Sequence, residues 1–258
     1  MLLVIDIGNT NIVFGIFDQK ELFFDWRIST DKHKTSDEYG LVFQQIFTFA
    51  GIAPEEIKET IICSVVPNLM STFVRACERY LKVHPFIVDT NMKMNIKNKY
   101  HNPKEVGADR LVNAVAAVEK YGGPIIIVDI GTAITFDYIN RENEYLGGAI
   151  FPGIGISSEA LFLKTAKLPK VELELPQSVI GTTTIDSIQS GLVYGYIGLI
   201  DQIIHRIMEE EQLKEDEVEI IGTGGYSLLI AKNSKYIGKV DKMITLDGLR
   251  LIYEMNKE

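Results

Sequence analysis

Asp6 and Asp129 are the residues that first suggest chemistry. Each follows an apolar run, Leu2 to Ile5 in one case and Ile126 to Val128 in the other. Each is followed by Ile-Gly and then by small polar residues. A second apolar run begins beyond each turn, over 12–17 and 134–139. The pattern is strand, tight turn, strand. A glycine in such a turn lets backbone approach a ligand with no side chain between them. Amide and hydroxyl groups over Gly8, Asn9, Thr10 and Asn11 are of the kind that cradle phosphate oxygens. Asp6, where the strand opens into the turn, is placed to hold a hydrated Mg²⁺ that accompanies phosphates. The alternative is an ordinary hairpin whose Asn-Thr-Asn turn is merely polar. A third acid, Asp109, precedes Arg110 near the start of an expected helix. It suits a general base beside a guanidinium that holds a carboxylate or phosphate. It equally suits an acid favoured by the helix dipole and a surface ion pair.

The two Asp-Ile-Gly triplets lie 123 positions apart, close to half of the 258 residues. Repetition at that scale predicts two similar lobes, 1–115 and 116–258, each offering a phosphate-facing turn to a shared cleft. The first lobe reads as strands near 2–7, 11–17 and 21–28, a helix to about 50, a strand near 60–65, a helix over 68–82 and a short strand near 85–88. Thr35 and Glu38 form a capping-box pattern before the first helix. Lys93, Lys97, Lys99, His101 and Lys104 then make a basic connection, either a solvated linker or a rim that attracts an anion. Pro103 and Glu105 suit a helix start, with Leu111, Val112, Val115 and Val118 as the apolar face. The second lobe repeats the plan with strands near 125–130, 133–139 and 144–150, a helix over 154–167, an irregular stretch to 182 and a long helix over 184–211. Glycines weaken that long helix, which implies close helix packing, as across a dimer axis. A strand near 217–221 runs into Gly222-Thr223-Gly224-Gly225, either an adenosine contact or a simple turn between strand and helix. The last helix spans about 247–256.

Composition narrows the function. A net charge of −9 argues against broad nucleic-acid or anionic-membrane binding. No apolar run approaches the roughly 20 residues of a membrane span, and the N-terminus does not read as a signal peptide. Cys63 and Cys77 make neither a disulfide framework nor a zinc site, and read as reduced buried thiols in a cytosolic protein.

In general plan the chain resembles the actin-like, sugar-kinase and heat-shock-ATPase superfamily. The expected fold is therefore α/β: two ribonuclease-H-like lobes, each a mixed sheet with helices, around a nucleotide cleft. The finer likeness is to type III pantothenate kinases. It rests on Asp-Ile-Gly-Asn-Thr-Asn at 6–11, Ser64-Val65-Val66-Pro67, Tyr100-x-Asn102-Pro103-x-Glu105-Val106-Gly107-Ala108-Asp109-Arg110, Asp129-x-Gly131-Thr132-Ala133 and the segment from Gly181 to Gly191. The Gly-Ala-Asp-Arg block is the most specific of these. The resemblance implies ATP-dependent phosphorylation of the pantothenate primary hydroxyl, the first step towards coenzyme A, by a cytoplasmic homodimer. It implies that Asp6, Ile7, Gly8, Asn9, Thr10, Asn11, Ile12, Val13 and Thr132 bind ATP, with Asp6 near Mg²⁺. It makes Asp109 the catalytic base. Tyr100, Gly107, Ala108, Asp109, Arg110 and Thr184 become pantothenate contacts, with Thr183 as the other match for that threonine. It gives Asp129 a monovalent cation, K⁺ or NH₄⁺. Another kinase of the superfamily and a non-catalytic regulator on the same fold are the competing readings.

Overall fold

A computed structural model describes residues 1–257. Its elements, in order, are β1 (Leu2–Ile7), β2 (Asn11–Asp18), β3 (Glu21–Ser29), α1 (Ser36–Ala50), β4 (Glu59–Ser64), α2 (Pro67–Ala76), β5 (Phe86–Ile87) and β6 (Lys97–Asn98). Then follow α3 (Ala108–Tyr121), β7 (Ile125–Ile130), β8 (Ala133–Ile139), β9 (Glu144–Pro152), α4 (Ile154–Lys164), α5 (Thr184–Glu210), β10 (Glu219–Thr223), α6 (Ser227–Ala231), β11 (Lys239–Val240) and α7 (Ile244–Asn256). They form two compact units that exchange segments along the chain. One comprises 1–95, 101–116 and 243–258; the other comprises 96–100 and 117–242.

The first unit is built on a five-stranded sheet of order β3-β2-β1-β4-β5. β1 and β2 are antiparallel, as are β2 and β3, whereas β4 runs parallel to β1. β1 is almost wholly apolar, and β4 is buried over Thr60, Ile61, Ile62 and Cys63, because both faces of the sheet are covered. On one face Leu3, Ile5, Ile7, Phe14 and Ile16 pack against Phe43 and Phe47 of α1 and Phe73 of α2. Gly15 leaves room for Leu246 of α7 on the sheet, since a Cβ there would stand 3.1 Å from its Cδ1. α7 also locks α3. The Thr245 hydroxyl donates to Asn113 Oδ1 at 2.7 Å, and Gly248 lies so close to the Val112 carbonyl that a Cβ would overlap it.

The second unit repeats the arrangement. Its sheet order is β11-β10-β7-β8-β9-β6. Three antiparallel strands, β7, β8 and β9, are flanked by the parallel β10 on the far side of β7. Ile126, Val128, Ile134, Phe136 and Tyr138 pack against Ile188, Val193, Tyr196 and Ile200 of α5. Gly191, Gly195 and Gly198 lie on the opposite, exposed side of α5, with open space where each Cβ would be.

The structure departs from the sequence reading at several element ends. Pro103–Glu105 forms only a 3₁₀ turn, and α3 starts at Ala108 because Val106 is extended (φ −75°, ψ 126°). The helix expected over 68–82 is α-helical to Ala76, continues as a π turn over Cys77–Leu81, and ends where Lys82 turns left-handed at φ 60°. The helix expected to 167 stops at Lys164. β10 begins at Glu219 rather than near 217, because Glu215–Glu217 is a 3₁₀ turn closed by the Lys214 N–H donating to Glu217 Oε2 at 3.0 Å. Gly222 and Thr223 thereby fall inside the strand. The two-residue strands β6 and β11 carry no periodic signal and were not expected. α7 joins the first sheet rather than the second.

Candidate active site

In the first unit, Asp6 is the penultimate residue of β1 and stands in register between Val13 of β2 and Cys63 of β4. The turn beyond it is tied from within. The Gly8 N–H donates to the Asn11 carbonyl at 3.0 Å. Thr30, just past β3, donates its hydroxyl to the Gly8 carbonyl at 2.7 Å and its N–H to the Thr10 carbonyl at 2.9 Å. Asn9 and Thr10 remain exposed at the tip, whereas Ile7 and Ile12 are wholly buried in the core. Those two can meet a ligand only through their backbone. Thr30 was missed in the sequence, where it reads as one more polar loop residue.

Asp109 is the second residue of α3. Its Oδ1 accepts the Arg110 N–H at 2.9 Å and rests over Gly107, where a Cβ would stand 2.5 Å from it. Arg110 is buried, with 8% of its surface exposed, so the helix-dipole reading with a surface ion pair does not describe this pair. Burial pushes the Asp109 carboxyl above its ordinary value, against the opposing pull of the Arg110 backbone N–H and guanidinium. Burial first, and then the charges of Asp6 and Asp109, push the Cys63 thiol well up. Both carboxylates therefore act on one point at the end of the first sheet, and Cys63 stays an inert, protonated filler.

The second unit repeats this construction with different detail. Asp129 is the penultimate residue of β7, in register with Thr135 of β8 and Thr223 of β10. Its carboxylate lies between two glycines. A Cβ on Gly131 would come to 3.3 Å of Oδ1, and one on Gly224, a left-handed residue at φ +88°, would collide with it. Thr132 is exposed at the turn, and its carbonyl accepts the Gly153 N–H at 3.1 Å. Gly224 thus serves the acid directly, beyond any contact with adenosine.

Tyr100 lies with its ring edge against Gly147, 3.1 Å from where a Cβ would be. Thr183 caps α5 by accepting the Asp186 N–H at 3.1 Å, which leaves Thr184 as the exposed first residue of the helix. Thr184 lines an open hollow of about 780 Å³ with Gly181, Thr183, Ser187, Leu161 and Leu192. Of the basic connection, Lys99 pairs with Glu144 at 3.3 Å. Among the described residues no group of three or more His, Cys, Asp or Glu side chains could hold a metal. A half-buried acid such as Asp6 beside a polar turn still fits Mg²⁺, which keeps most of its waters and takes one or two carboxylates.

The sequence profile of the family described as type III pantothenate kinase matches residues 2–206. The type III pantothenate kinase of Finegoldia magna is 63% identical over 257 residues, covering 100% of this chain and 98% of that protein. The chain belongs to the type III pantothenate kinase family. The family member from Citrifermentans bemidjiense is 50% identical over 257 residues, with both chains fully covered. At the level of fold alone, similar solved structures include the ROK hexokinase of Thermus thermophilus (TM-score 0.50, 12% identity, 97% of each chain). The ethanolamine utilization protein EutJ of Carboxydothermus hydrogenoformans is another (TM-score 0.53, 15% identity, 97% of this chain and 89% of that one). Their likeness agrees with an actin-like pair of α/β lobes. Among the described residues no helix is long and apolar enough to cross a membrane.

The raised pKa of Asp109 has a consequence for stability. The folded protein holds this proton more tightly than the unfolded chain does. The ionised carboxyl therefore disfavours folding increasingly as pH rises from the unfolded value to the folded one, and in full above that. Asp109→Asn is expected to melt at or above the wild-type temperature at pH 7, with the difference shrinking as pH falls towards the ordinary carboxylate range. Thermal unfolding of both proteins between pH 4 and 8 checks this, and a variant less stable than wild type at pH 7 would contradict it.

Proposed function

We propose that this chain transfers the γ-phosphoryl group of ATP to the primary hydroxyl of pantothenate, giving 4'-phosphopantothenate for coenzyme A synthesis. Membership of the type III family carries the reaction. The observation that supports its chemistry here is the half-buried Asp109 carboxylate, beside the buried Arg110, at the same sheet end as Asp6. Phosphoryl transfer asks mainly for positioning and for stabilisation of spreading charge. The turn from Gly8 to Asn11 would receive the phosphates. Mg²⁺, when bound near Asp6, would neutralise charge on the phosphate oxygens. Asp109 would orient the hydroxyl and accept its proton, and a carboxylate whose burial raises its proton affinity is better suited to that task. Gly107, Ala108 and Arg110 would contact pantothenate together with Tyr100 and Thr184, and Thr132 would contact ATP.

The glycine cradle around Asp129 favours the cation role. With side chains absent at 131 and 224, the carboxylate can face a large, weakly hydrated ion such as K⁺ or NH₄⁺ without a competing partner supplied by those positions. We further propose that the open glycine face of α5 packs on a second copy of the chain. Small residues at 191, 195 and 198 permit close helix approach, and Phe162 and Leu163 of α4 and Ile180 are exposed apolar residues that a partner would cover.

Phosphopantothenate formation from pantothenate and Mg-ATP, with and without K⁺, is the direct test. Product formed much faster with K⁺ supports substrate, reaction and cation together. No product from folded protein would reject the reading. Asp129→Asn is expected to weaken the K⁺ dependence, and an unchanged K⁺ titration would remove Asp129 from the cation site. Asp109→Asn is expected to lower kcat by roughly 10²–10⁴, the range for loss of a general base. For the dimer, light scattering should give twice the chain mass for the wild type and a monomer for Gly195→Trp. A monomeric wild type would refute this packing.

A further inference from the structure

A buried carboxylate lies inside the second sheet, apart from the residues assigned above. Asp137, in the middle of β8, has no exposed surface. An acid is rarely buried so fully unless its oxygens are occupied. Its Oδ1 accepts the hydroxyl of Tyr145, itself wholly buried, at 2.5 Å, and its Oδ2 accepts the Thr135 hydroxyl at 3.1 Å. The adjacent positions on the same strand, Phe136 and Tyr138, face the apolar core with α5. Asp137 and Thr135 therefore point to the other face, as strand alternation requires.

We propose that Asp137 and Tyr145 are positioning residues for Tyr100, and so for the acceptor substrate. The inference rests on the reading of Tyr100 as a pantothenate contact. Tyr145 holds the strand that leads to Tyr100. Its carbonyl accepts the Lys99 N–H at 2.9 Å, and it lies in register with Asn98. Asn98 in turn accepts the Tyr100 N–H on its Oδ1 at 3.0 Å. β6 has only two residues and two register pairs on the edge of the sheet. So short a strand has little pairing of its own to fix where Tyr100 stands. The Tyr145 backbone supplies the anchor, and Asp137, by holding the Tyr145 hydroxyl, fixes the residue that carries it. Tyr100 then lies against Gly147, two residues beyond Tyr145 on the same strand β9.

The test compares Tyr145→Phe, Asp137→Asn, Tyr100→Ala and the double variant Tyr145→Phe/Tyr100→Ala. Tyr145→Phe keeps the ring and removes only the hydroxyl, so it remains informative if Asp137→Asn fails to fold. The expected result is a KM for pantothenate about three- to tenfold higher in Tyr145→Phe, in line with one lost hydrogen bond. KM for ATP and kcat should stay within about twofold, because a general loss of structure would move all three. In the Tyr100→Ala background, Tyr145→Phe should add nothing. If Tyr100→Ala raises KM and Tyr145→Phe either leaves it unchanged or multiplies the effect, the proposal is overturned while the reading of Tyr100 stands. If Tyr100→Ala leaves KM unchanged, the reading of Tyr100 fails, and the proposal with it.

Discussion

Two carboxylates in this protein stand where a side chain is missing. Asp109 rests over Gly107, and Asp129 is enclosed by Gly131 and Gly224. A side chain at any of these three positions would crowd the acid beside it. Burial raises the proton affinity of Asp109. Glycine lets the backbone close around each carboxylate with no side chain between them. The rest of each unit can be understood as holding that arrangement. Strands β1 and β7 are buried on both faces, so their penultimate residues are fixed. Thr30 ties the first turn, Gly153 packs on the second, and α7 clamps the helix that carries Asp109.

The two sheets share their topology: three antiparallel strands with parallel strands added beside the first. Their chemistry has diverged. The first turn has four residues between its last register pairs, Ile7 with Ile12, and the second has three, Ile130 with Ile134. The first unit adds Asp109 from a helix start, while the second adds Gly224 over its own acid and the short strand that leads to Tyr100. A duplicated scaffold thus carries differently furnished acids at its two sheet ends.

Much of this was legible in the residues. Asp-Ile-Gly appears twice at half-chain spacing, each time between apolar runs, and that signal is strong because buried strands demand unbroken apolar sequence. The cap at Thr35 and Glu38 stands as expected, with the Thr35 N–H donating to Glu38 Oε2 at 2.8 Å. The missed features are those in which distant residues meet. Thr30 acts on a turn some twenty residues earlier. Gly224 acts on an acid nearly a hundred residues away. β6 and β11 are too short for any periodicity. Pro103 and Glu105 favour a first turn and so suggest an earlier start for α3, but Val106 extends the chain before Asp109, which no residue type there signals.

The glycine at 107 sets the place of the Asp109 carboxylate. A cycle of Gly107→Ala, Asp109→Asn and the double variant, read as kcat for pantothenate phosphorylation, tests it most directly. Gly107→Ala alone is expected to slow turnover by at least about tenfold, since the added methyl would displace Oδ1. In the Asp109→Asn background the same change should cost little more. Gly107→Ala with near wild-type turnover, or losses that simply multiply in the double variant, would show that Gly107 does not place this carboxylate.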